Sequence, residues 1–212
     1  MSLADQLRLM VITDASRHKA CRAAVADGGG ATMVQVRWKD GAPAEVLQLT
    51  RALVAELPVP VLVNDRVDVA LAAGAAGAHL GWDDVPLGAI RPHVPPGFVL
   101  GISVGSVAEA ERAALLPADY WSVGPCFATA NKPDAGPALG AAGFAALARL
   151  APEGVPVIGI GGITVANAAT VAAAGAAGVA VIGAIFGAQD PEAAARALRA
   201  ALPSVSHPPN RR

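Results

Sequence analysis

Aromatic side chains are scarce in this chain, with Phe, Trp and Tyr making up 4% of its 212 residues. Charged residues are also few, at 16%, and Lys and Arg form no run before Arg211-Arg212. These shortages exclude a nucleic-acid reader, which needs a basic stripe for phosphates or a platform of rings for bases. The formal net charge of −1 supplies no compensating field. Cysteine is nearly missing. Cys21 and Cys126 stand far apart with no metal-ligand spacing, so they read as free thiols of a reducing compartment. Cys126 adjoins a candidate site loop, but no base accompanies it in sequence, and it is not read as a nucleophile. The stretch Met1-Ser-Leu-Ala-Asp lacks the charged and apolar regions of a secretion signal. The longest uncharged stretches are rich in Ala and Gly and alternate in character, unlike a membrane span. The expectation is a cytoplasmic protein without nucleic-acid or membrane partners. Assembly as a homo-oligomer is left open.

What the chain has in abundance is short apolar runs that end in glycine. Val157 to Ile163 reads Val-Ile-Gly-Ile-Gly-Gly-Ile, and Val179 to Ile185 reads Val-Ala-Val-Ile-Gly-Ala-Ile. Each suits a strand buried on both faces, and the Ala-rich segment Val165 to Ala174 between them is long enough for a crossover helix. Similar runs occur earlier at Leu9–Thr13, Met33–Val36, Val61–Val63, Ala78–Leu80, Val99–Ile102 and Tyr120–Val123. Helix-like segments fall between them, among them Ala44–Leu57, Val107–Leu115, Ala141–Leu150 and Pro191–Leu202, the last with Asp190 placed as N-cap. Eight strands alternating with helices predict an α/β fold, a single (β/α)8 TIM barrel over residues 1–203. A doubly wound open sheet is the rival, since strand counting does not prove closure. Residues 204–212, with Pro208-Pro209, read as a disordered tail.

Parallel barrels gather their chemistry at the C-terminal ends of the strands. Those ends are polar here. The second strand gives Gln35, Arg37 and Lys39 at alternate positions, and the third gives Asn64 and Asp65. The fourth runs through His79 to Asp83 and Asp84, the fifth ends at Ser103, and the loop after the sixth carries Thr129, Asn131 and Lys132. Each charge alone would be an ordinary surface residue. Together, Asp65 and Asp84 are candidates to hold Mg2+, whose remaining positions go to water and phosphate oxygens. Arg37, Lys39 and Lys132 would neutralise the rest of a pyrophosphate and stabilise it as it leaves. The glycines after the last two strands, Gly161, Gly162 and Gly183, would let backbone N–H groups approach a second phosphate.

The ordered series resembles the thiamine phosphate synthase family. Gln-Val-Arg-Trp-Lys, Val-Asn-Asp-Arg-Val-Asp-Val-Ala, Gly-Ala-His-Leu-Gly-x-Asp-Asp, Gly-Ile-Ser-Val, Asp-Tyr-x-x-Val-Gly-Pro-x-Phe-x-Thr-x-x-Lys and Ile-Gly-Gly-Ile follow one another from Leu9 to Phe186 without a large gap. Single motifs of this set recur in other phosphate-binding barrels; the order is what distinguishes it. The resemblance implies a Mg2+-dependent transferase that joins pyrophosphorylated hydroxymethylpyrimidine to thiazole phosphate, releasing pyrophosphate. It implies that Gln35, Arg37, Lys39, Asn64, Ser103 and Lys132 bind the pyrimidine pyrophosphate. Asp65 and Asp84 correspond to the Mg2+ ligands. Thr129, Asn131, Gly162, Ile182 and Gly183 correspond to the thiazole-phosphate contacts, and no protein nucleophile is needed.

The chain departs from the family pattern at four of these positions. Trp38 replaces an acidic residue, Trp82 a glutamine, Asn131 a threonine and Gly183 a serine. The tryptophans could narrow the pocket, stack on a heteroaromatic ring or pack under a helix. His79 could hydrogen-bond inside the mouth but is read as structural, and the four histidines do not cluster as metal ligands. Three rivals follow: a thiazole tautomerase, another paralogue of the pathway, or a non-catalytic thiamine-phosphate binder. Pro125 stands where the tautomerases tend to place a histidine, which counts against the first.

Overall fold

A computed structural model of the chain describes residues 1–13, 22, 25, 30–129 and 136–202. Its elements run α1 Leu3–Gln6, β1 Leu9–Ile12, β2 Met33–Val36, α2 Pro43–Glu56, β3 Val61–Asn64, α3 Val67–Ala73 and β4 Gly77–Leu80. They continue with α4 Leu87–Ile90, a 3-10 turn at Arg91–His93, β5 Val99–Val104, α5 Val107–Ala113, β6 Tyr120–Val123 and α6 Gly140–Ala148. The last are β7 Val157–Ile160, α7 Val165–Ala173, β8 Gly178–Val181, α8 Gly183–Phe186 and α9 Pro191–Ala201. Every strand pairs in parallel with its sequence neighbours. β1 also pairs with β8 through Leu9–Val179, Met10–Ala180 and Val11–Val181. That last ladder excludes the open sheet: this is a closed (β/α)8 barrel. Asn131, Lys132, the proposed domain end at 203 and the tail 204–212 lie outside the described residues.

Alternation along each strand divides the core in two. Leu9, Val11, Val34, Val61, Val63, Leu100, Ile102, Trp121 and Val123 face the helices in one large buried layer. Met10, Ile12, Met33, Leu62, Tyr120, Ile158 and Ala180 fill the barrel interior in a second. All of these strand residues are nearly inaccessible, which explains why the strands read as unbroken apolar runs rather than as alternating ones.

Local signals set the helix starts. Asp190 accepts the N–H of Ala193 at 2.9 Å, with Pro191 at the first helical position. Ser106 accepts the N–H of Glu109 at 3.2 Å to open α5. Thr164 and Asn167 form a reciprocal box at the start of α7. β8 stops one residue sooner than its apolar run, because Ile182 turns out of the strand to lead into α8.

Candidate active site

The same alternation that fills the barrel floor makes its rim polar. At the ends of five successive strands, β2 to β6, the inward residues are Gln35, Asn64, His79, Ser103 and Ser122, all lining one cavity of about 730 Å3. Volumes of that size suit small-molecule ligands. On the other three strands the inward lining is apolar, from Ile12, Ile160 and Ala180. The polar arc is internally ordered. Gln35, almost fully buried, donates its amide N–H to Asn64 Oδ1 at 2.8 Å. His79 lies between Tyr120 and Ser103, with Nδ1 2.8 Å from the phenol oxygen and Nε2 2.9 Å from Ser103 Oγ.

The charged residues stand at the rim of this arc, and Arg37, Lys39, Asp65, Asp83 and Asp84 all line the cavity. Asp65 has φ of 64°, a left-handed conformation that a short polar side chain adopts more readily than most. Burial pushes its carboxyl up to about 6, the negative charge of neighbouring Asp84 adds to the rise, and Lys39 and Arg37 oppose it. Asp84 is aimed by the backbone of Gly81, whose N–H its Oδ2 accepts at 2.7 Å. Two carboxylates held at close quarters against their mutual repulsion fit a divalent cation. The described residues contain no group of three or more His, Cys, Asp or Glu able to hold a metal. Mg2+ prefers one or two carboxylates, with its other oxygens from ligand and water. Thr13, at the end of β1, was not singled out from sequence. It is buried, and its hydroxyl accepts the Arg37 N–H at 2.9 Å, tying the Arg37 backbone to β1.

On the far side, Gly161, Gly162, Ile182, Gly183 and Thr129 line the cavity, together with the apolar ends of β7 and β8. Gly162 has φ of 62°, and a β-carbon there would meet Ala128 O at 2.4 Å and Phe127 Cβ at 2.8 Å. The missing side chain would thus strike the loop after β6 and not open space. That loop is stitched to β7: Cys126 N–H donates to Ile160 O at 2.7 Å and Phe127 N–H to Gly161 O at 3.0 Å.

The two tryptophans differ in fate. Trp38 is half-buried, packs on the outer core and lies under Gly41, and it does not line the cavity. Trp82 does line it, with the Arg112 guanidinium 4.2 Å from its ring centroid and a buried indole N–H that has no hydrogen-bond partner among the described residues. Cys126 is buried, and burial pushes its thiol up to about 11, so it is a core residue and not a nucleophile. Ser122, also passed over in sequence, is buried on the cavity wall with no partner for its hydroxyl among the described residues. Its only signal in sequence was its parity with Tyr120 on β6.

Fold and site together define a (β/α)8-barrel enzyme with a polar, charged cavity at its mouth of a size for small molecules. A family model described as thiamine monophosphate synthase matches residues 9–185. This chain belongs to that family. It is 48% identical over 180 residues to a thiamine-phosphate synthase of Roseiflexus sp. (strain RS-1), covering 84% of this chain and 75% of that one. It is 47% identical over 199 residues to one from Methanoculleus marisnigri, covering 90% and 93%. A solved thiamine phosphate pyrophosphorylase from Pyrococcus furiosus superposes with a TM-score of 0.84 at 36% identity, covering 94% of this chain and 97% of that chain.

Proposed function

We propose that this chain condenses hydroxymethylpyrimidine pyrophosphate with thiazole phosphate, giving thiamine phosphate and pyrophosphate. The observation that carries this reading is the polar arc from Gln35 to Ser122. It is bordered by Asp65, Asp84, Arg37 and Lys39 and faces the glycine-rich ends of β7 and β8 across one cavity. Two differently equipped sides of a single pocket suit two different substrates.

In this reading the pyrimidine lies against Gln35, Asn64 and Ser103 with its pyrophosphate toward Arg37 and Lys39. Lys132 is assigned the same clamp from its motif alone. Asp65 and Asp84 would hold Mg2+, which when bound supplies charge neutralisation to the pyrophosphate. The methylene C–O bond breaks, and its electron pair leaves with the pyrophosphate. The resulting pyrimidine cation is stabilised by its exocyclic amine, and the thiazole nitrogen donates its lone pair to form the new C–N bond. No protein atom becomes covalently attached. Arg37 and Lys39 act by favouring the charge that develops on the leaving oxygens. Thr129, Gly162, Ile182 and Gly183 would hold the thiazole phosphate so that its nitrogen faces the breaking bond. Asn131 is assigned to the same loop. The walls of the barrel keep bulk water from capturing the cation. The buried free thiol of Cys126 suits the cytoplasm, and no helix among the described residues is long and apolar enough to cross a membrane.

The test is pyrophosphate release by the purified chain with both substrates, with Mg2+ and with EDTA. Release that needs both substrates and Mg2+ is expected. Tight binding of both without product would make the chain a binder. Turnover of the thiazole alone would make it a tautomerase.

A further inference from the structure

We propose that Tyr120 and His79 are positioning residues that fix the Ser103 hydroxyl as a hydrogen-bond donor to the bound pyrimidine pyrophosphate, taking that ligand from the function proposed above. The three residues come from adjacent strands β6, β4 and β5 and cross the barrel interior as one chain of hydrogen bonds.

The direction of that chain follows from its buried end. Tyr120 is fully buried, and burial pushes its phenol up, so it keeps its proton. A buried O–H must find an acceptor. His79 Nδ1, at 2.8 Å, is that acceptor. An imidazole that accepts at Nδ1 carries its proton on Nε2. Nε2 is 2.9 Å from Ser103 Oγ, so the serine oxygen accepts from the ring and its own proton is directed elsewhere. Ser122 pairs with Ser103 in the β5–β6 register, yet its hydroxyl has no partner among the described residues, so it does not take that proton. Ser103 lines the cavity, where a bound ligand can supply the acceptor.

A second, independent feature shows that this path is built into the fold. A β-carbon on Gly101 would lie 2.2 Å from Tyr120 Cζ and 2.5 Å from its hydroxyl oxygen. Gly101 pairs with His79 on one side and with Tyr120 on the other. Only a residue without a side chain at this point of β5 lets the phenol cross from β6 to reach β4. The ring centroids of His79 and Tyr120 are then 5.5 Å apart at 33°, in contact as well as hydrogen-bonded.

Two measurements test the relay. Replacing His18, His93 and His207 by Gln leaves His79 as the sole histidine, and its tautomer is read by 15N–1H correlation spectra of the ligand-free protein. A neutral ring protonated on Nε2 is expected; protonation on Nδ1, or a charged ring, overturns the relay. Turnover is then compared across a double-mutant cycle. Tyr120→Phe should lower kcat/KM roughly tenfold, the scale of one redirected hydrogen bond. In a Ser103→Ala background it should cost nothing further. An equal loss in both backgrounds would make Tyr120 a packing residue and overturn the assignment. Should the wild-type chain release no pyrophosphate, the proposed function fails while the tautomer spectrum still decides the relay.

Discussion

Gly162 stands so close to Ala128 that a β-carbon on it would lie 2.4 Å from the Ala128 carbonyl oxygen. The contact joins the two loops that close one side of the mouth, and it is reinforced by the Asn167 amide, which donates to Gly162 O at 3.0 Å. Gly162→Ala should therefore destabilise the fold itself, by about 1–3 kcal/mol from the clash and the left-handed backbone together. In a domain of this size that lowers Tm by roughly 2–4 °C per kcal/mol. An unchanged melting curve would show that the loop yields freely.

Gly183 offers a contrast, since it begins α8 at the cavity wall. Gly183→Val should weaken binding of thiazole phosphate while leaving pyrimidine pyrophosphate nearly unaffected. Gly183→Ser keeps the N–H, adds a hydroxyl and should be tolerated. Calorimetric titration with each substrate separately reads the difference. Equal loss of both ligands in the Val variant would mean general damage to the mouth, and no loss would put the phosphate elsewhere.

Asp84→Asn keeps an oxygen able to accept from Gly81 N–H but removes the charge. The fold should survive, with Tm little changed, while turnover at limiting Mg2+ falls sharply and recovers in part at high Mg2+. Wild-type activity across a Mg2+ titration would remove Asp84 from the metal site.

The Ser122 hydroxyl has no partner among the described residues and lines the cavity, where a ligand can supply one. Ser122→Ala should leave the ligand-free protein as stable or up to about 1 kcal/mol more so. It should also shrink the rise in Tm produced by pyrimidine pyrophosphate. A variant that melts earlier without ligand and gains as much with it would show that Ser122 serves packing only.

Cys126 is buried beside Gly159, its thiol 3.5 Å from Val123 O, and burial pushes its pKa to about 11. In a Cys21→Ser background, thiol reagents at pH 8 should react only after denaturation. Fast labelling of the folded protein would contradict this burial.

Much of this was written in the one-dimensional pattern. The eight apolar runs predicted strands within one or two residues of those observed, because both faces of each strand are buried and the runs are continuous. The rim residues Gln35, Arg37, Lys39, Asn64, Asp65, Asp84, Ser103 and Thr129 were also legible, since polar groups at the ends of apolar runs need a reason to be there. All of them line the same cavity.

Three things needed the third dimension. Closure depends on the ladder between Leu9–Val11 and Val179–Val181, a pairing between chain ends that no local periodicity encodes. Whether Trp38 or Trp82 enters the cavity depends on where each loop folds back, and two similar rings in similar places part company there. The surroundings of Thr13, Tyr120 and Ser122 come from other strands: a threonine that accepts the Arg37 N–H, a phenol crossing above a glycine, and a hydroxyl in register with Ser103. Sequence by itself determined the strands, their inward parity and the family, because hydrophobic burial writes its period into the chain. The tertiary structure alone decided which side chains share a proton, a charge or a cavity, because those interactions act across a few ångströms between residues far apart in sequence.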